Sequence, residues 1–306
     1  MKHEQIAHAG WPCNLRLSNG TVELVVTLDV GPRVIRFGFV GGANAFGRFA
    51  EDLGGCGERR WKLRGGHRLW IAPERKPHTY EPDNGPLGFE TIPGGIRTVE
   101  KPGRLTRIQR SLEIRLAPRG SRVRVAHVLT NRGRGPAECS AWALSVMPPR
   151  CLAIIPLPEI VPHDSRVSPN QNWSLWRYTD LGDPRLRFSS RWVTLRQDPR
   201  RGPIKLGMAE REGWAAGLLD DGQLFVKLFR RAKSRVYPDG DVNFEVYSDE
   251  RILELETLGP LVTLKPGQSV RHEEEWVLFR GVPAVRRGAD VERHVMPRVR
   301  RALGRS

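Results

Sequence analysis

The sequence predicts an all-β protein, and three observations lead to this fold class. Short segments that alternate between apolar and polar side chains recur along most of the chain, and this is the period of a half-buried strand. The 32 glycines and 24 prolines are spread over all 306 residues, as turns between many strands require. Turn motifs such as Pro-Asp-Gly and Lys-Pro-Gly separate the alternating segments. We expect a single domain, 1–306, since sandwiches of this size often form one.

The predicted strands begin with a pair at 22–30 and 33–40, which follow a Ser-Asn-Gly turn and a Gly-Pro break. Strict alternation on both sides of a Pro-Arg-Gly turn then predicts a hairpin of 105–116 with 121–129. The same criteria predict strands over 140–147, 151–158, 204–208, 213–218 and 223–229. Residues 281–306 carry valines four to six positions apart among many arginines, which predicts a short basic C-terminal helix.

Residues 237–276 contain the most regular run of strands and a pair of carboxylates. A turn at 237–241 precedes an alternating strand, and a second strand follows at 252–257. Because side chains alternate across a strand, Glu254 and Glu256 point to the same face. Neighbouring carboxylates are costly unless a basic group, a hydrogen-bonding ligand or a shared proton stabilises them. Two interpretations follow: pairing with one of the many arginines, or a site for sugar hydroxyls and proton transfer.

Residues 61–90 are the second region rich in reactive side chains. Four prolines between 73 and 86 predict an irregular segment, so its polar side chains are expected on loops, where binding sites often lie. Each histidine could instead be an ordinary hydrogen-bonded loop residue. His67, Glu74, His78 and Asp83 are metal ligands by type, but their spacing matches no compact metal motif. The sequence therefore predicts no metal and no cofactor.

The formal net charge of +16 comes mostly from arginine and favours anionic partners. The arginines are scattered through the strands and no nucleic-acid-binding motif occurs, so solvated strand faces are the favoured explanation, with a phosphorylated or acidic sugar as an alternative. The four cysteines show no CxxC spacing, and the N-terminus has no apolar signal-peptide core. We expect a cytoplasmic protein with free thiols that binds neither nucleic acid nor membranes. The sequence specifies no oligomeric state.

Several motifs resemble the galactose-mutarotase-like superfamily. They are the Glu-Leu-Glu strand at 254–256, the Gly-Pro break at 259–260, the Pro-Gly turn at 266–267 and the Trp-x-apolar-Phe end at 276–279. Residues 31–35 and 130–133 are similar to its G-x-R and T-N-x-G segments, and 65–73 resembles the cleft segment of hexose-6-phosphate epimerase-like proteins. The resemblance, closest to an uncharacterised bacterial family, implies a galactose-mutarotase-like β-supersandwich and a small carbohydrate ligand, neutral or anionic.

The resemblance also implies a site. A late glutamate, Glu256 or Glu254, would be the catalytic base, and His67 or else His78 the acid. The strand at 140–147 lacks the histidine that mutarotases carry there. An aldose 1-epimerase-like isomerase is therefore weighed against a non-catalytic sugar-binding or regulatory protein, with nucleic-acid binding third. The expected substrate-binding residues share polar or aromatic side chains: Arg68, Trp70, Glu74, Tyr80, Asp83, Asn84, Trp173, Lys227, Tyr237 and Asp239.

Overall fold

The computed structural model describes residues 2–165 and 168–305, and it contains twenty-one strands within them. In chain order the strands are β1 Lys2–His8, β2 Trp11–Ser18, β3 Val22–Thr27, β4 Arg33–Phe39, β5 His67–Ala72, β6 Gly88–Ile92, β7 Gly95–Val99, β8 Ile108–Leu116, β9 Val123–Asn131, β10 Ala137–Met147, β11 Leu152–Pro156, β12 Trp173–Leu175, β13 Leu186–Phe188, β14 Trp192–Arg196, β15 Ile204–Met208, β16 Trp214–Leu218, β17 Leu224–Phe229, β18 Phe244–Ser248, β19 Leu253–Leu258, β20 Val262–Leu264 and β21 Ser269–Phe279.

These strands form two large antiparallel sheets. The first sheet has the order β1-β2-β3-β4-β5-β10-β19-β18-β15-β12, with β20 paired to β10. The second has the order β13-β14-β11-β16-β17-β21-β9-β8-β7-β6. A large apolar core that includes Phe37, Phe225 and Trp276 lies between the sheets. The predicted all-β fold class is therefore confirmed, and the hairpin predicted around residues 118–120 is the β8–β9 pair.

Two parts of the chain differ from the sequence prediction. Lys2–His8 and Trp11–Ser18 form an edge hairpin, although strands were expected only from residue 22 onward. His67–Ala72 is a strand between β4 and β10, whereas 61–90 was expected to be irregular. The prolines of that region begin only at Pro73, so the apolar residues before it are free to pair with β10.

Gly65 and Gly66 set the position of β5. Both have positive φ, 90° and 76°, a conformation that side chains rarely tolerate. A Cβ atom on Gly66 would also lie 2.5 Å from the carbonyl oxygen of Val34. The two glycines therefore let the chain turn closely against neighbouring backbone immediately before His67, and this fixes the face to which each residue of β5 points.

The C-terminal segment is helical, as predicted. It consists of Gly288–Asp290, a π-helical turn at Val291–Val295, and Met296–Ala302. Its valines pack on the outer face of the second sheet in an apolar cluster that includes Trp192 and Trp214. Within residues 2–165 and 168–305, no helix combines the length and hydropathy that a membrane span needs.

Candidate functional site

Five central strands of the first sheet present a polar face away from the core, which we call the cleft face. On β10, Leu144 lies opposite both Arg68 of β5 and Glu256 of β19. Glu256 in turn lies opposite Glu245 of β18. Alternation then places the remaining members of the cleft face, which are Trp70, Trp142, Lys205, Tyr247 and Glu254. Glu254 and Glu256 therefore share one face with Arg68 and Trp70.

A lysine holds two carboxylates together at the centre of this face. Lys205 Nζ lies 2.7 Å from Glu245 Oε2 and 3.0 Å from Glu256 Oε2. The indole nitrogen of Trp142 donates to Glu256 Oε2 at 2.9 Å. Burial disfavours the ammonium charge of Lys205, but the two carboxylates outweigh burial and raise its pKa. Burial also raises the pKa of Glu245 well above its usual range, with Glu256 adding to the effect of burial.

Glu254 has a separate cationic partner. Arg68 NH1 donates to Glu254 Oε1 at 2.8 Å. The Arg68 guanidinium lies 4.5 Å from the ring centre of Trp70 and 5.4 Å from that of Trp61, so it stacks between indoles. Burial and the nearby charge of Glu256 raise the pKa of Glu254 despite the arginine. Glu254 therefore binds a proton more readily than an ordinary glutamate does.

Aromatic rings form one wall of the cleft. The Trp70 ring centre lies 4.8 Å from that of Trp61, 5.1 Å from that of Tyr80 and 5.4 Å from that of Trp142. The indole nitrogens of Trp61 and Trp70 are buried and donate to no acceptor among the described residues. Flat rings with spare N–H donors suit a sugar, which presents an apolar ring face and hydroxyl oxygens.

Loops supply the rim of the cleft. The Tyr80 hydroxyl donates to Glu74, and together with burial this raises the pKa of Tyr80. Trp176 stacks on Lys205, whose Nζ lies 4.6 Å from the ring centre. Asp239 has a left-handed backbone conformation, with a φ of 53°. Burial raises the pKa of its carboxyl group, and the charge of Lys205 partly offsets this rise. The rim therefore brings two more of the predicted residues, Glu74 and Asp239, close to the carboxylates.

A cavity of about 1240 Å³ adjoins this cleft, because Trp61 and Tyr80 line both of them. The residues around it carry mixed charges and include Glu81, Arg104 and Arg110.

His67 lies on the opposite face of β5 from Arg68, fully buried between the two sheets. His127 Nδ1 lies 3.1 Å from the His272 carbonyl oxygen, so Nδ1 carries the proton and Nε2 accepts. His67 Nε2, 2.7 Å away, is then the donor, and His67 Nδ1 accepts from the Ser145 hydroxyl at 2.9 Å. Every hydrogen-bond donor and acceptor in this series is satisfied when the imidazoles are neutral. His67 therefore lies on the core side of the first sheet, away from the face that carries Arg68, Glu254 and Glu256.

The same buried network includes an ion pair between Lys227 and Glu274. Lys227 Nζ lies 3.0 Å from Glu274 Oε1, and the Trp276 indole donates to Glu274 Oε2 at 2.7 Å. His67, His127 and Glu274 offer ligand atoms within 4.8 Å of one another, which is a metal-binding spacing. A cation there would have to remove the proton that His67 shares with His127 and lie beside the Lys227 ammonium. We therefore assign this cluster to structure.

Other residues expected to bind substrate contact neighbouring protein groups. Asp83 pairs with Arg33 at 3.2 Å, and the Asn84 side-chain amide donates to the Arg60 carbonyl. Lys227 lies in the network between the sheets. Trp173 packs against the main core and Tyr237 is buried, its hydroxyl oxygen accepting from the Ala232 amide. His78 is exposed on the loop after β5.

Six cleft residues were not among the predicted site residues, namely Trp61, Trp142, Trp176, Lys205, Glu245 and Tyr247. Their positions depend on strand order, because β15 reaches the site only through its pairing with β18. Lys205 did carry a signal in the sequence, as a lysine in a chain whose basic residues are mostly arginine.

Solved structures show where this fold belongs. A galactose mutarotase-like protein from Lactobacillus casei superposes with a TM-score of 0.58 at 9% identity, covering 87% of this chain and 100% of its own. A galactose mutarotase related enzyme from Lactobacillus acidophilus gives 0.58 at 10% identity, covering 90% and 100%. An Escherichia coli protein provisionally named an aldose 1-epimerase gives 0.55 at 15% identity, covering 87% and 98%.

The chain therefore has the galactose mutarotase-like fold, as the sequence resemblance implied. At these identities the likeness shows the fold alone. No protein-family profile and no curated protein sequence matches the chain.

Proposed function

We propose that this protein is an aldose 1-epimerase-like isomerase that interconverts the anomers of a sugar bound at the cleft face. One observation carries the proposal: two differently partnered carboxylates, Glu254 and Glu256, lie side by side beneath an aromatic wall. Anomer interconversion needs a base for the C1 hydroxyl and an acid for the ring oxygen, and it requires neither a metal nor an organic cofactor.

Glu256 is the base in this proposal. Its Oε2 accepts hydrogen bonds from both Lys205 and Trp142, and these contacts hold the carboxylate in a fixed position. Glu256 takes the proton of the C1 hydroxyl as the bond between C1 and the ring oxygen breaks, which leaves an open-chain aldehyde. After rotation about the C1–C2 bond, the former ring oxygen attacks the other face of C1. Glu256 then returns the proton to the aldehyde oxygen, which becomes the C1 hydroxyl again.

Glu254 is the acid, in place of His67. Its raised pKa means that it binds a proton more readily than an ordinary glutamate does, which suits the role of general acid. Glu254 gives this proton to the ring oxygen when the ring opens and takes it back when the ring closes. Arg68, bonded to Glu254 Oε1, orients the carboxyl group.

The charge of the cleft favours a neutral aldose over an anionic one. Its acidic side chains outnumber the basic side chains paired with them, Arg68 and Lys205. Arg68 and Lys205 are already paired and cannot serve an added phosphate or carboxylate, whereas sugar hydroxyls can donate to carboxylates. The acidic side chains are Glu74, Asp239, Glu245, Glu254 and Glu256.

The test is anomeric exchange measured by proton NMR on neutral, acidic and phosphorylated aldoses at low buffer concentration. We expect faster exchange for a neutral aldose and a loss of about 10²-fold or more in Glu256→Gln. Glu273→Gln, which removes an exposed carboxylate on β21, is the matched control and should keep full activity. Equal rates for Glu256→Gln and the wild type would refute the assignment of the base.

A non-catalytic sugar-binding protein is the second candidate. The unpaired indole nitrogens of Trp61 and Trp70 favour it, since they can bind hydroxyl oxygens without any proton transfer. Saturation transfer to a sugar without faster exchange would select this function.

A further inference from the structure

A second cavity, of about 640 Å³, lies between the edge of the second sheet and the start of the C-terminal helical segment. Strands β13 and β14, the loop at 198–201 and the segment at 285–291 enclose it. It shares no lining residue with the cleft face, and the proposed isomerase reaction makes no use of it.

The rim of this cavity is rich in arginine. Seven arginines line it against one acidic residue, Asp198, and they are Arg185, Arg187, Arg196, Arg200, Arg201, Arg286 and Arg287. Some are already neutralised: Arg185 pairs with Asp183 at 2.9 Å and Arg200 with Asp198 at 2.9 Å.

Arg187, Arg201 and Arg286 are exposed and form no ion pair with any carboxylate of residues 2–165 or 168–305. The Arg187 guanidinium makes a single long contact, 3.4 Å, with the backbone oxygen of Arg286. Three guanidinium groups around one cavity are therefore free to bind an anion, and guanidinium matches phosphate oxygens in bidentate geometry.

The cavity also has an apolar floor. Leu152, Trp192, Val285 and Val291 line its base, and the Phe188 ring stands at its edge with 51% of its surface exposed. A cavity of this size matches a drug-sized ligand, since such sites range from roughly 300 to 1,000 Å³. An arginine rim above aromatic and aliphatic groups is complementary to a molecule with both an anionic group and a flat apolar ring.

We propose that this cavity is a binding site for a phosphorylated small molecule that carries a flat ring, of the nucleoside phosphate class. The phosphates contact Arg187, Arg201 and Arg286, and the ring lies against Phe188 above the apolar floor. This site is separate from the sugar cleft and does not depend on the isomerase activity.

The test is calorimetric titration of the full chain with ATP, pyrophosphate and adenosine. We expect ATP to bind more tightly than pyrophosphate, and adenosine not to bind measurably. The double variant Arg187→Gln/Arg286→Gln should weaken ATP binding about 10-fold or more. The matched control is Arg119→Gln/Arg134→Gln, which removes the same charge from exposed turns outside the cavity and should bind ATP as the wild type does.

Phe188→Ala distinguishes the contribution of the ligand's ring from that of its phosphates, because it should weaken ATP binding and leave pyrophosphate binding unchanged. Three results would overturn the proposal: no ATP binding, equal weakening in the cavity and control variants, or tighter binding to duplex DNA with a steep salt dependence shared by both variants. The last result would indicate general attraction of polyanions to a basic surface.

Discussion

The ammonium group of Lys205 reaches across β18 to within 3.0 Å of the Glu256 carboxylate, so β15 and β19 are joined by an ion pair over the strand between them. The same nitrogen lies 2.7 Å from Glu245 Oε2. One buried cation thus lies between two carboxylates that would otherwise repel each other.

Replacing Lys205 with methionine should destabilise the fold, because it leaves two buried carboxyls without their cation. The expected loss is about 3–5 kcal/mol in the free energy of unfolding, measured by urea titration. Lys265→Met, at an exposed turn, is the matched control and should change stability little. The double variant Lys205→Met/Glu245→Gln should recover part of the loss, and a double variant no more stable than Lys205→Met would contradict the pairing.

The pH dependence of anomer exchange should reveal the acid. Glu254 must be protonated to donate to the ring oxygen, so kcat/KM should fall as the pH rises through its raised pKa. This alkaline limb should lie above the usual glutamate range and should disappear in Glu254→Gln, whose residual rate is lower. If the alkaline fall in kcat/KM were the same in Glu254→Gln as in the wild type, the acid would be a different group.

Trp70 should contribute to sugar affinity through both its ring and its unpaired N–H. Trp70→Ala removes both and should raise the dissociation constant for the bound aldose about 10-fold, measured by saturation-transfer NMR. Trp70→Phe keeps a stacking ring and loses only the N–H donor, so it should fall between the wild type and Trp70→Ala. Trp214→Phe, on the opposite sheet, should leave sugar affinity unaltered.

The buried histidines should make the fold sensitive to acid. Burial lowers the pKa of His127 to about 4 and that of His272 to about 3. Below pH 6.5 these two histidines therefore bind protons in the unfolded chain but remain neutral in the folded chain. The free energy of unfolding consequently falls as the pH falls. Each histidine should cost about 2 kcal/mol between pH 6.5 and 5. Urea titrations at several pH values in this range give the change in the free energy of unfolding with pH. This change should be smaller in His127→Gln than in the wild type, and it should be unaltered in the exposed variant His78→Gln.

Much of the fold could be predicted from local patterns, whereas only part of the candidate site could. Alternation predicted that Glu254 and Glu256 share a face. The opposite orientations of His67 and Arg68 could not be predicted, because strand β5 was not expected from the sequence. Which of these faces is buried depends on how the sheets pack, and a short pattern contains no information on that. Lys205 and Trp142 meet Glu256 only through pairing between strands that are distant in sequence, so their contribution required the strand order.

Strand β5 divides two chemical environments at consecutive residues, since His67 faces the dry interior and Arg68 the cleft. One residue inserted after Gly66 would exchange them, bringing an imidazole beside the Glu254 carboxylate and a guanidinium into the core. The glycine pair ahead of the strand therefore fixes its register. It determines which functional group of β5 faces a bound molecule, although neither glycine has a side chain of its own.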